Sequence, residues 1–570
     1  MTTAEEPSTL PINVNPNITP DVPEHAQPVI GLIGMGAMGR MYAKLLSQVG
    51  WRKIYVCDLP ERYEQLEADY ANTPGVYVQR DGHAVSRSSD YIIYSVEAEF
   101  IDRVVAQYGP STKVNAIVAG QTSVKAPEKV AFETHLPKDV HILSCHSLHG
   151  PTVSPAGQPL VLIRHRSSKD ALTLVENILR PFRSRFVYLS YEEHDSVTAN
   201  TQAVTHAAFL RYISFCPHPS PTKTLTPRLL SSSACSSSLI HSYYTHNISM
   251  GTAWASAASY PWEQGLYVGG IETAKVNLAL RIYSNAWHVY AGLAILNPAA
   301  RKQIDQYAKS ASELFKLMLS GGSGSLEDRK KFKERVEWAR KTVFGEWSRD
   351  VILEEDPNGF VPSSPSSTSD SDSDTPHTKR KPILLSASIL DRFSLGKSTY
   401  PKIIVPPSPT SDNASFILPP PTLTPPQTYR PNSHLSLLAM VDSWAHLGIN
   451  PYTHLQLAAT PIFRLFLGVA EHLFQSSTLL KSSIHSAIYD HWHRGDDLEF
   501  VIAARGWSQA VSFGSFEVYR RRFDETRKFF EPRFEEAGKL GSEMIRVVME
   551  SEVRREREEE EWNMRGRAKV

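Results

Sequence analysis

The stretch HILSCHSLHGPT carries the side chain that is best suited to proton transfer in this sequence. His146 ends an apolar run that is typical of a strand, and His149 follows it closely. Ligands of α/β sheets bind at the carboxyl ends of the strands, and the pKa of an unperturbed histidine is near neutral. His146 is therefore a candidate acid or base. No Asp, Glu or Cys stands at metal-ligand spacing from these two histidines, so we expect no metal site.

A glycine-rich turn is the second candidate for chemistry. In VIGLIGMGAMGRMYAKLL, Gly34, Gly36 and Gly39 have the G-x-G-x-x-G spacing between a predicted strand and a predicted helix. The first glycine allows a tight turn, the second lets the backbone approach a pyrophosphate, and the third lets helix and strand pack closely. The helix N-terminus then presents free N–H groups to the phosphates. We assign to this dinucleotide site the turn and one serine of the run DYIIYSV, namely Gly34, Met35, Gly36, Ala37, Met38, Gly39 and Ser95.

An acidic residue at the end of the next predicted strand supports this assignment. Asp58 closes the run IYVCD, about 20 residues beyond the turn, where a carboxylate can accept hydrogen bonds from ribose hydroxyls. A carboxylate repels the 2′-phosphate of NADP and so favours NAD, but Arg62 and Arg52 lie nearby in sequence and can counter its charge. These residues by themselves leave the choice between NAD and NADP open.

These candidate residues need a sheet whose strand ends meet at one edge. Short apolar runs alternate with helix-like runs over residues 28–191, and the apolar continuity of the runs is typical of strands buried on both faces. The predicted strands are PVIGLIG, KIYVCD, DYIIYSV, NAIVAG, VHILSCHS, PLVLIRH and RFVYLS. Alternation of this kind predicts an α/β, Rossmann-type doubly wound parallel sheet, and the helical periodicity that follows predicts one or more all-α domains.

Composition divides the chain further. We expect a disordered tail (1–28), a dinucleotide-binding domain (29–191), a helical substrate and dimerisation domain (192–350), a low-complexity linker (351–432), a C-terminal helical domain (433–549) and a charged tail (550–570). The linker is rich in Ser and Pro and cannot bury enough apolar surface to offset chain entropy.

Bulk composition excludes several classes of partner. The formal net charge is zero, which gives no support to a nucleic-acid or anionic-membrane partner. The four cysteines show no metal spacing and are too few for a disulfide framework, so a reducing compartment is expected. No run is long and apolar enough to cross a membrane, and the N-terminus has no features of a signal or transit peptide, so the expected location is the cytoplasm.

The order of the motifs resembles a known family, the prephenate dehydrogenases in their long, NADP-dependent form. The motifs that carry the resemblance are GLIGMGAMG, SDYIIYSVEAEF, AGQTSVKAP, CHSLHGP, GQPLVLI, YLSYEEHD, TQAVTHAAFL, YPWEQGLYVGGIE, NLALRIYSNAWHVYAGLAILNP and PNSHLSLLAMVDSW. The resemblance covers about residues 29–210, 249–350 and 431–547. It implies a Rossmann domain followed by a helical dimerisation domain, a homodimer, and oxidative decarboxylation of prephenate to 4-hydroxyphenylpyruvate on the way to tyrosine.

The resemblance also implies roles for four residues. His146 in CHSLHG matches the family's catalytic histidine, and Ser123 in GQTSVK matches the serine that bonds the substrate's ring hydroxyl and steadies that histidine. Arg281 in LRIYSNAW matches an arginine that holds a substrate carboxylate, which suits a bidentate guanidinium. His206 in VTHAAF matches a second active-site histidine. Apart from the resemblance, Ser123 could simply cap the next helix, and Arg281 could be an ordinary ion-pair arginine.

Three other functions stay open from the sequence. Arogenate dehydrogenase acts on a substrate with an amine in place of the side-chain ketone. A β-hydroxyacid dehydrogenase shares the Rossmann-plus-helices layout, although its chemistry normally uses a lysine on a helix. A catalytically silent NADP-binding sensor would keep the glycine turn but would need neither His146 nor Arg281.

One segment does not fit the helical pattern around it. Residues 211–248 are rich in Ser and Pro, contain no Asp or Glu, and separate THAAFL from SMGTAWA, which are continuous in the family resembled. Insertion there would split a core helix close to His206. We therefore hypothesise that the segment is a retained intron, since Arg211-Tyr212 can be encoded as AGG-TAT, and Cys216 and Cys235 drop out of the chemistry.

Sequencing of mature transcripts across residues 211–248 tests this hypothesis. The expected result is a message that joins the codons of Leu210 and Ser249 directly. Uniform presence of the segment in mature message would refute the intron and would leave a long loop, looped out from a helix that re-forms behind it.

Overall fold

The computed structural model describes residues 10–151, 153–203, 282–283, 287–345, 384–385, 433–458, 460–491 and 494–531, with scattered residues from 534 to 550. Two predicted site residues, His206 and Arg281, lie outside the described residues. The anomalous segment 211–248 and the charged tail 551–570 lie outside them as well, and so does the linker 351–432 apart from residues 384–385.

The described part of the chain contains one eight-stranded sheet. The strands are β1 (Ile30–Ile33), β2 (Ile54–Cys57), β3 (Val76–Val78), β4 (Tyr91–Tyr94), β5 (Ile117–Gly120), β6 (His141–Ser147), β7 (Pro159–Arg166) and β8 (Arg185–Tyr188). Their order in the sheet is β3-β2-β1-β4-β5-β6-β7-β8. The first six follow the order of a Rossmann domain, with the reversal of direction between β1 and β4.

Seven of these strands coincide with predicted runs, and β3 is the one that the sequence reading missed. β3 is a three-residue strand at the sheet edge, and its central Tyr77 is exposed. It therefore lacks the continuous apolar run that marks a buried strand. The β6–β7 pair is antiparallel whereas every other described pair is parallel. Residues 148–158 connect β6 and β7 without a helix, and parallel strands need a longer crossover.

Helices cover both faces of the sheet, which confirms the doubly wound α/β prediction. They are α1 (Ala37–Gln48), α2 (Tyr63–Tyr70), α3 (Gly82–Ser88), α4 (Ile101–Tyr108), α5 (Lys125–His135), α6 (Lys169–Leu179) and α7 (Tyr191–Thr198). α1 and α6 bury Leu46 and Leu174 against one face, while α4 and α5 bury Val105 and Phe132 against the other. A π-helical turn, Ala199–Ala203, continues α7.

The N-terminal segment differs from the expected disordered tail. Ile18 is buried in the core of the sheet domain, with Ile12, Val14 and Val22 packed beside it. The Pro11 carbonyl lies 2.9 Å from His141 Nε2, and the Pro16 carbonyl accepts a hydrogen bond from Asn177. Proline-rich extended backbone leaves its carbonyl groups free for such contacts, so composition alone did not reveal this packing.

The second part of the chain is helical. Its described helices are α8 (His288–Leu296), α9 (Pro298–Gly322), α10 (Leu326–Phe344), α11 (Leu435–Leu447), α12 (Pro451–Ala458), α13 (Pro461–Gln475), α14 (Ser477–Tyr489), α15 (Arg494–Ser512) and α16 (Phe516–Phe530). α9 packs against α10, α11 and α15, and one hydrophobic core joins helices from both sides of the linker. The domain boundaries given above stay a prediction.

Local signals explain where these helices begin and end. Asn297 accepts hydrogen bonds from the backbone N–H groups of Ala299 and Ala300, and Pro298 occupies the first turn of α9. Ser325 caps α10 in the same way, and Gly345 ends it with φ of 84°. The amphipathic helix predicted for this segment is therefore confirmed.

A buried ion pair links α10 to α11 across the linker. Arg335 donates two hydrogen bonds of 2.7 Å to the two carboxylate oxygens of Asp442, whose side chain is 2% exposed. Its third nitrogen lies 2.7 Å from Glu313 on α9. Removal of one partner leaves a buried charge with fewer partners, which costs more than the intact pair contributes.

We expect Asp442→Asn to lower the free energy of unfolding by about 2–4 kcal/mol, because it breaks the bidentate pair and leaves Arg335 partly uncompensated. Urea unfolding, followed by tryptophan fluorescence, measures the change. Glu334→Gln is the matched control on α10, since its pair with Lys330 is solvent-exposed and is worth at most about 0.5 kcal/mol. Equal unfolding midpoints for the two variants would contradict the assigned role.

Candidate active site

The carboxyl ends of β1, β4, β5 and β6 meet at one edge of the sheet. The backbone N–H of Ser95, just after β4, donates to the Ile33 carbonyl at 2.8 Å, and that of Gln121, just after β5, donates to the Tyr94 carbonyl at 2.9 Å. His146 stands near the end of β6. The glycine turn and the candidate base, far apart in sequence, therefore lie at the same edge.

The glycine turn has the geometry that its spacing predicts. Gly34 has φ of +100°, and a Cβ there would lie 2.5 Å from the Ser95 carbonyl oxygen. A Cβ on Gly39 would lie 2.1 Å from the Gly34 carbonyl oxygen, so any side chain would push α1 away from β1. A Cβ on Gly36 would meet no atom of the described residues within 4 Å. Gly36 also stands at the N-cap of α1, beside free backbone N–H groups.

These features fit a dinucleotide phosphate. The open space at Gly36 lies where a pyrophosphate would approach the helix N-terminus, and neither Gly36 nor Ala37 is covered by other described residues. Ser95 donates a 3.0 Å hydrogen bond to the Gln121 side chain and lies 3.4 Å from the position of a Cβ on Gly39. The assigned cofactor residues therefore surround one turn.

Two of the assigned turn residues face the protein rather than the open side. The side chain of Met35 is buried in the core, and its carbonyl accepts a 3.1 Å hydrogen bond from Arg40 Nε. Met38 is half-buried and packs against the same core. These two side chains support the turn, and only their backbone is available to a phosphate.

The acidic residue after β2 carries its own counter-charge. Arg62 Nη1 lies 3.4 Å from Asp58 Oδ2, and the Arg62 side chain is exposed. Arg52, which we considered for the same task, stands before β2 and donates hydrogen bonds to the Ser47 and Trp51 carbonyls. Because it belongs to the opposite end of the strand, Arg52 cannot reach this site. Arg62 is thus the arginine that accompanies Asp58.

His146 is the first member of a hydrogen-bonded chain of buried side chains. Its Nδ1 lies 2.7 Å from Nε2 of His194, and Nδ1 of His194 lies 3.0 Å from Oδ1 of Asp195. The Asp195 carboxylate also accepts the backbone N–H groups of Lys125, at 2.7 Å, and Ala126, at 2.8 Å. His194 is fully buried, while His146 is 8% exposed. The described residues give Nε2 of His146 no hydrogen-bond partner, so this nitrogen is the one available to a substrate.

The electrostatics keep both imidazoles neutral. Burial, and then the neighbouring His194 and Lys125, hold the pKa of His146 well below its ordinary value. Burial and Lys125 lower the pKa of His194 in the same direction. Burial raises the pKa of Asp195 to about 6, although the two backbone N–H groups work against this shift. At neutral pH the side chains are thus a carboxylate and two uncharged imidazoles, the form in which a histidine can accept a proton.

A buried ion pair holds β5 and β6 at a fixed separation beneath the site. Lys125 Nζ lies 2.9 Å from Glu128 and also donates to the carbonyls of Gly120, at 2.8 Å, and Cys145, at 3.0 Å. Glu128 in turn accepts from the hydroxyl groups of Ser144 and Thr122. All donors and acceptors of this pair find partners, which a fully buried ion pair requires.

Ser123 is half-buried in the segment between β5 and α5. The alternative that it caps α5 is wrong, because the N-cap of α5 is Val124 and the first N–H groups of the helix bond Asp195. Ser123 thus has no capping role, and the role implied for it by the resemblance stays a prediction.

The sequence reading missed His194, Asp195, Lys125, Glu128 and Gln121. A signal for the first two was present, since SYEEHD contains a Ser190–Glu193 capping box and so predicts a helix start that carries an adjacent His and Asp. Their direction depends on how α7 packs beside α5, which the local sequence does not encode. For Lys125 and Glu128, the spacing resembles an ordinary surface pair on a helix.

The fold and site define a dinucleotide-dependent dehydrogenase with a Rossmann domain and a helical second part. A family model described as a "6-phosphogluconate dehydrogenase C-terminal domain" matches residues 241–357 and 371–550. A "Probable prephenate dehydrogenase [NADP(+)]" from Schizosaccharomyces pombe is 45% identical over 522 residues, which cover 92% of this chain and 98% of that protein. A "Prephenate dehydrogenase [NADP(+)]" from Saccharomyces cerevisiae is 44% identical over 527 residues, which cover 92% of this chain and 94% of that protein.

The chain therefore belongs to the prephenate dehydrogenase family in its NADP(+) form. Among solved structures, prephenate dehydrogenase from Aquifex aeolicus with hydroxyphenyl propionate and NAD+ covers 42% of this chain and 91% of its own, at 18% identity and a TM-score of 0.29.

We expect Gly36→Ala to fold normally yet to bind NADP+ at least tenfold more weakly, because its methyl group has room within the protein but occupies the approach of the pyrophosphate. Thermal unfolding and calorimetric titration with NADP+ measure the two effects. The control is Gly538→Ala, whose Cβ also meets open space but far along the sequence from the turn. Unchanged affinity in Gly36→Ala would place the phosphates elsewhere.

Proposed function

We propose that this protein catalyses the oxidative decarboxylation of prephenate to 4-hydroxyphenylpyruvate with NADP+. The observation that carries the proposal is the position of His146, neutral and with Nε2 available, at the sheet edge that bears the glycine turn. The names of its relatives in two yeasts supply the substrate and the cofactor. A histidine base near the site of hydride transfer is what an alcohol-oxidising step needs.

In this mechanism the protein handles one proton. NADP+, when bound, accepts the hydride from the ring carbon that carries the hydroxyl group. Nε2 of His146 takes the hydroxyl proton as the carbonyl group forms. The ring carboxylate then leaves as CO2, and the electron pair of the broken C–C bond moves into the ring and onto the oxygen. The oxygen regains the proton from His146, so no proton is gained or lost overall.

The protein's own task is therefore to orient the substrate and to hold that proton near the ring oxygen. The aromatic product supplies the driving force, so a single well-placed base is sufficient. Ser123 is proposed to bond the ring hydroxyl. Arg281 and His206 are proposed to bind the substrate, with the arginine on a carboxylate; both lie outside the described residues.

The choice of NADP+ agrees with the charge at the end of β2. Arg62 lies beside Asp58 and is exposed, so its guanidinium can neutralise the carboxylate and face a 2′-phosphate. An unaccompanied carboxylate in that place would repel the phosphate and favour NAD+. We propose Arg62 as the residue that allows NADP+ at this site.

We also propose a homodimer in the cytoplasm. Support for the dimer comes from the family resemblance and from the apolar character of α8, whose Ala291, Leu293 and Ile295 are all buried. Within the described residues, no helix is both long and apolar enough to cross a membrane.

We expect His146→Asn to lower kcat by about 10²- to 10⁴-fold, because asparagine keeps a polar group in place but cannot accept the proton. The measurement is the appearance of reduced nicotinamide when purified protein meets prephenate and NADP+. His149→Asn is the matched control, since it removes a neighbouring histidine whose Nδ1 bonds only the adjacent Gly150 carbonyl. Calorimetric titration should give the same NADP+ affinity for wild type and His146→Asn.

Three outcomes decide between the functions. Turnover of prephenate that is lost in His146→Asn supports the proposal. A larger kcat/KM for arogenate than for prephenate would make the protein an arogenate dehydrogenase. Binding of NADP+ without turnover of either substrate would indicate a sensor.

A further inference from the structure

We propose that Asp195 and His194 are positioning residues which hold His146 in the one tautomer that can act as a base and which stabilise it once it is protonated. The inference rests on the proposed function for the role of His146. It goes further by assigning a role to two residues that the motifs left without one. The geometry that carries it is the continuous chain from the α5 N-terminus through Asp195 and His194 to His146.

The tautomers follow from the inventory of donors and acceptors. An ionised carboxylate only accepts hydrogen bonds, so Nδ1 of His194 carries a hydrogen and donates it to Asp195. The other nitrogen of neutral His194 is then an acceptor, and Nδ1 of His146 must donate to it. This leaves the lone pair of His146 on Nε2, the nitrogen without a partner among the described residues. Every hydrogen along the chain is thus determined by the carboxylate at its far end.

The same arrangement stabilises the charge that forms during the reaction. When His146 accepts a proton, its imidazolium is held by Nε2 of His194, and the negative charge of Asp195 lies one imidazole farther on. A buried imidazolium without such a partner would be strongly unfavourable, since desolvation opposes the charged form. Other groups act on the chain as well: Lys125 and His149 oppose the positive charge, Glu192 acts on Asp195, and Glu128 is occupied by Lys125.

A purely structural role for Asp195 is the competing explanation. Its carboxylate caps α5 through two backbone N–H groups, and its own carbonyl accepts from Asn297, the residue that caps α9. A cap would not require the carboxylate to touch a histidine. It would also not require that histidine to be fully buried against a second one, with ring centroids 5.0 Å apart. The two explanations predict different effects on kcat.

The first experiment compares variants of the two residues in the full-length protein. We expect Asp195→Asn to lower kcat for prephenate by about 10²- to 10⁴-fold, because its amide group can donate to His194 and reverse both tautomers. His194→Leu should have a comparable effect. His194→Gln should retain more activity than His194→Leu, because its side-chain oxygen can still accept the Nδ1 hydrogen of His146. KM for prephenate and the affinity for NADP+ should change by less than about threefold.

Ser190→Ala is the matched control for lost stability. Ser190 forms the capping box of α7, the helix that carries both His194 and Asp195, but it does not touch the chain. We expect this variant to lower Tm, as Asp195→Asn does, while kcat stays within about twofold of wild type.

The second experiment is independent of the reaction. Diethyl pyrocarbonate acylates a histidine nitrogen that has a free lone pair, so its rate on His146 reports the tautomer. Peptide mass spectrometry with fragmentation separates the label on His146 from that on His149. We expect labelling of His146 at neutral pH to be several-fold slower in Asp195→Asn and His194→Leu than in wild type and Ser190→Ala.

The outcomes separate this inference from the proposed function. If wild type does not turn over prephenate, the proposed function fails, and the labelling experiment still decides whether the chain sets the tautomer. If wild type is active and Asp195→Asn and His194→Leu match it in both kcat and labelling rate, the inference is wrong. It is also wrong if Ser190→Ala loses kcat in the same proportion to its loss of Tm as Asp195→Asn does.

Discussion

The buried ion pair between Lys125 and Glu128 is the interaction on which the site depends. It bonds the Gly120 carbonyl at the end of β5 and the Cys145 carbonyl of β6, so it sets the distance between the strand that precedes Ser123 and the strand that carries His146. A Cβ on Gly120 would overlap the Glu128 carboxylate at 2.2 Å, so the pair also determines which residue can end β5. Such a pair tolerates no missing partner, because each ion has been removed from water.

The same part of the molecule joins the two halves of the chain. Asp195 lies at the start of α5 and near the end of α7, and its carbonyl accepts a 2.8 Å hydrogen bond from Asn297 at the start of α9. Gln303 on α9 bonds Asn200 in the π-helical turn that follows α7. π-Helical turns occur often at functional sites, since they redirect side chains within a helix. The helical part is thus attached to the Rossmann domain next to the residues that hold the base.

Much of the Rossmann domain could be predicted from local sequence. Seven strands, the glycine turn and Asp58 with Arg62 were recognised because each has a short-range signature, such as an apolar run, fixed glycine spacing or an acid at a strand end. β3 was missed because an exposed Tyr77 interrupts a very short edge strand. The packing of residues 10–27 was missed because proline-rich composition predicts disorder, whereas burial of Ile18 and carbonyl contacts order this segment.

The sequence by itself determined the class of protein, the place of the cofactor turn and the identity of His146 as the candidate base. These depend on residue types at short spacing and on an ordered set of motifs. Only the tertiary structure decided that His194 and Asp195 stand behind that base, that Arg52 belongs to the wrong end of β2, and that Asp195, rather than Ser123, caps α5. The physical reason is that these contacts join residues from different elements, and their directions follow from how β6, α5 and α7 pack together.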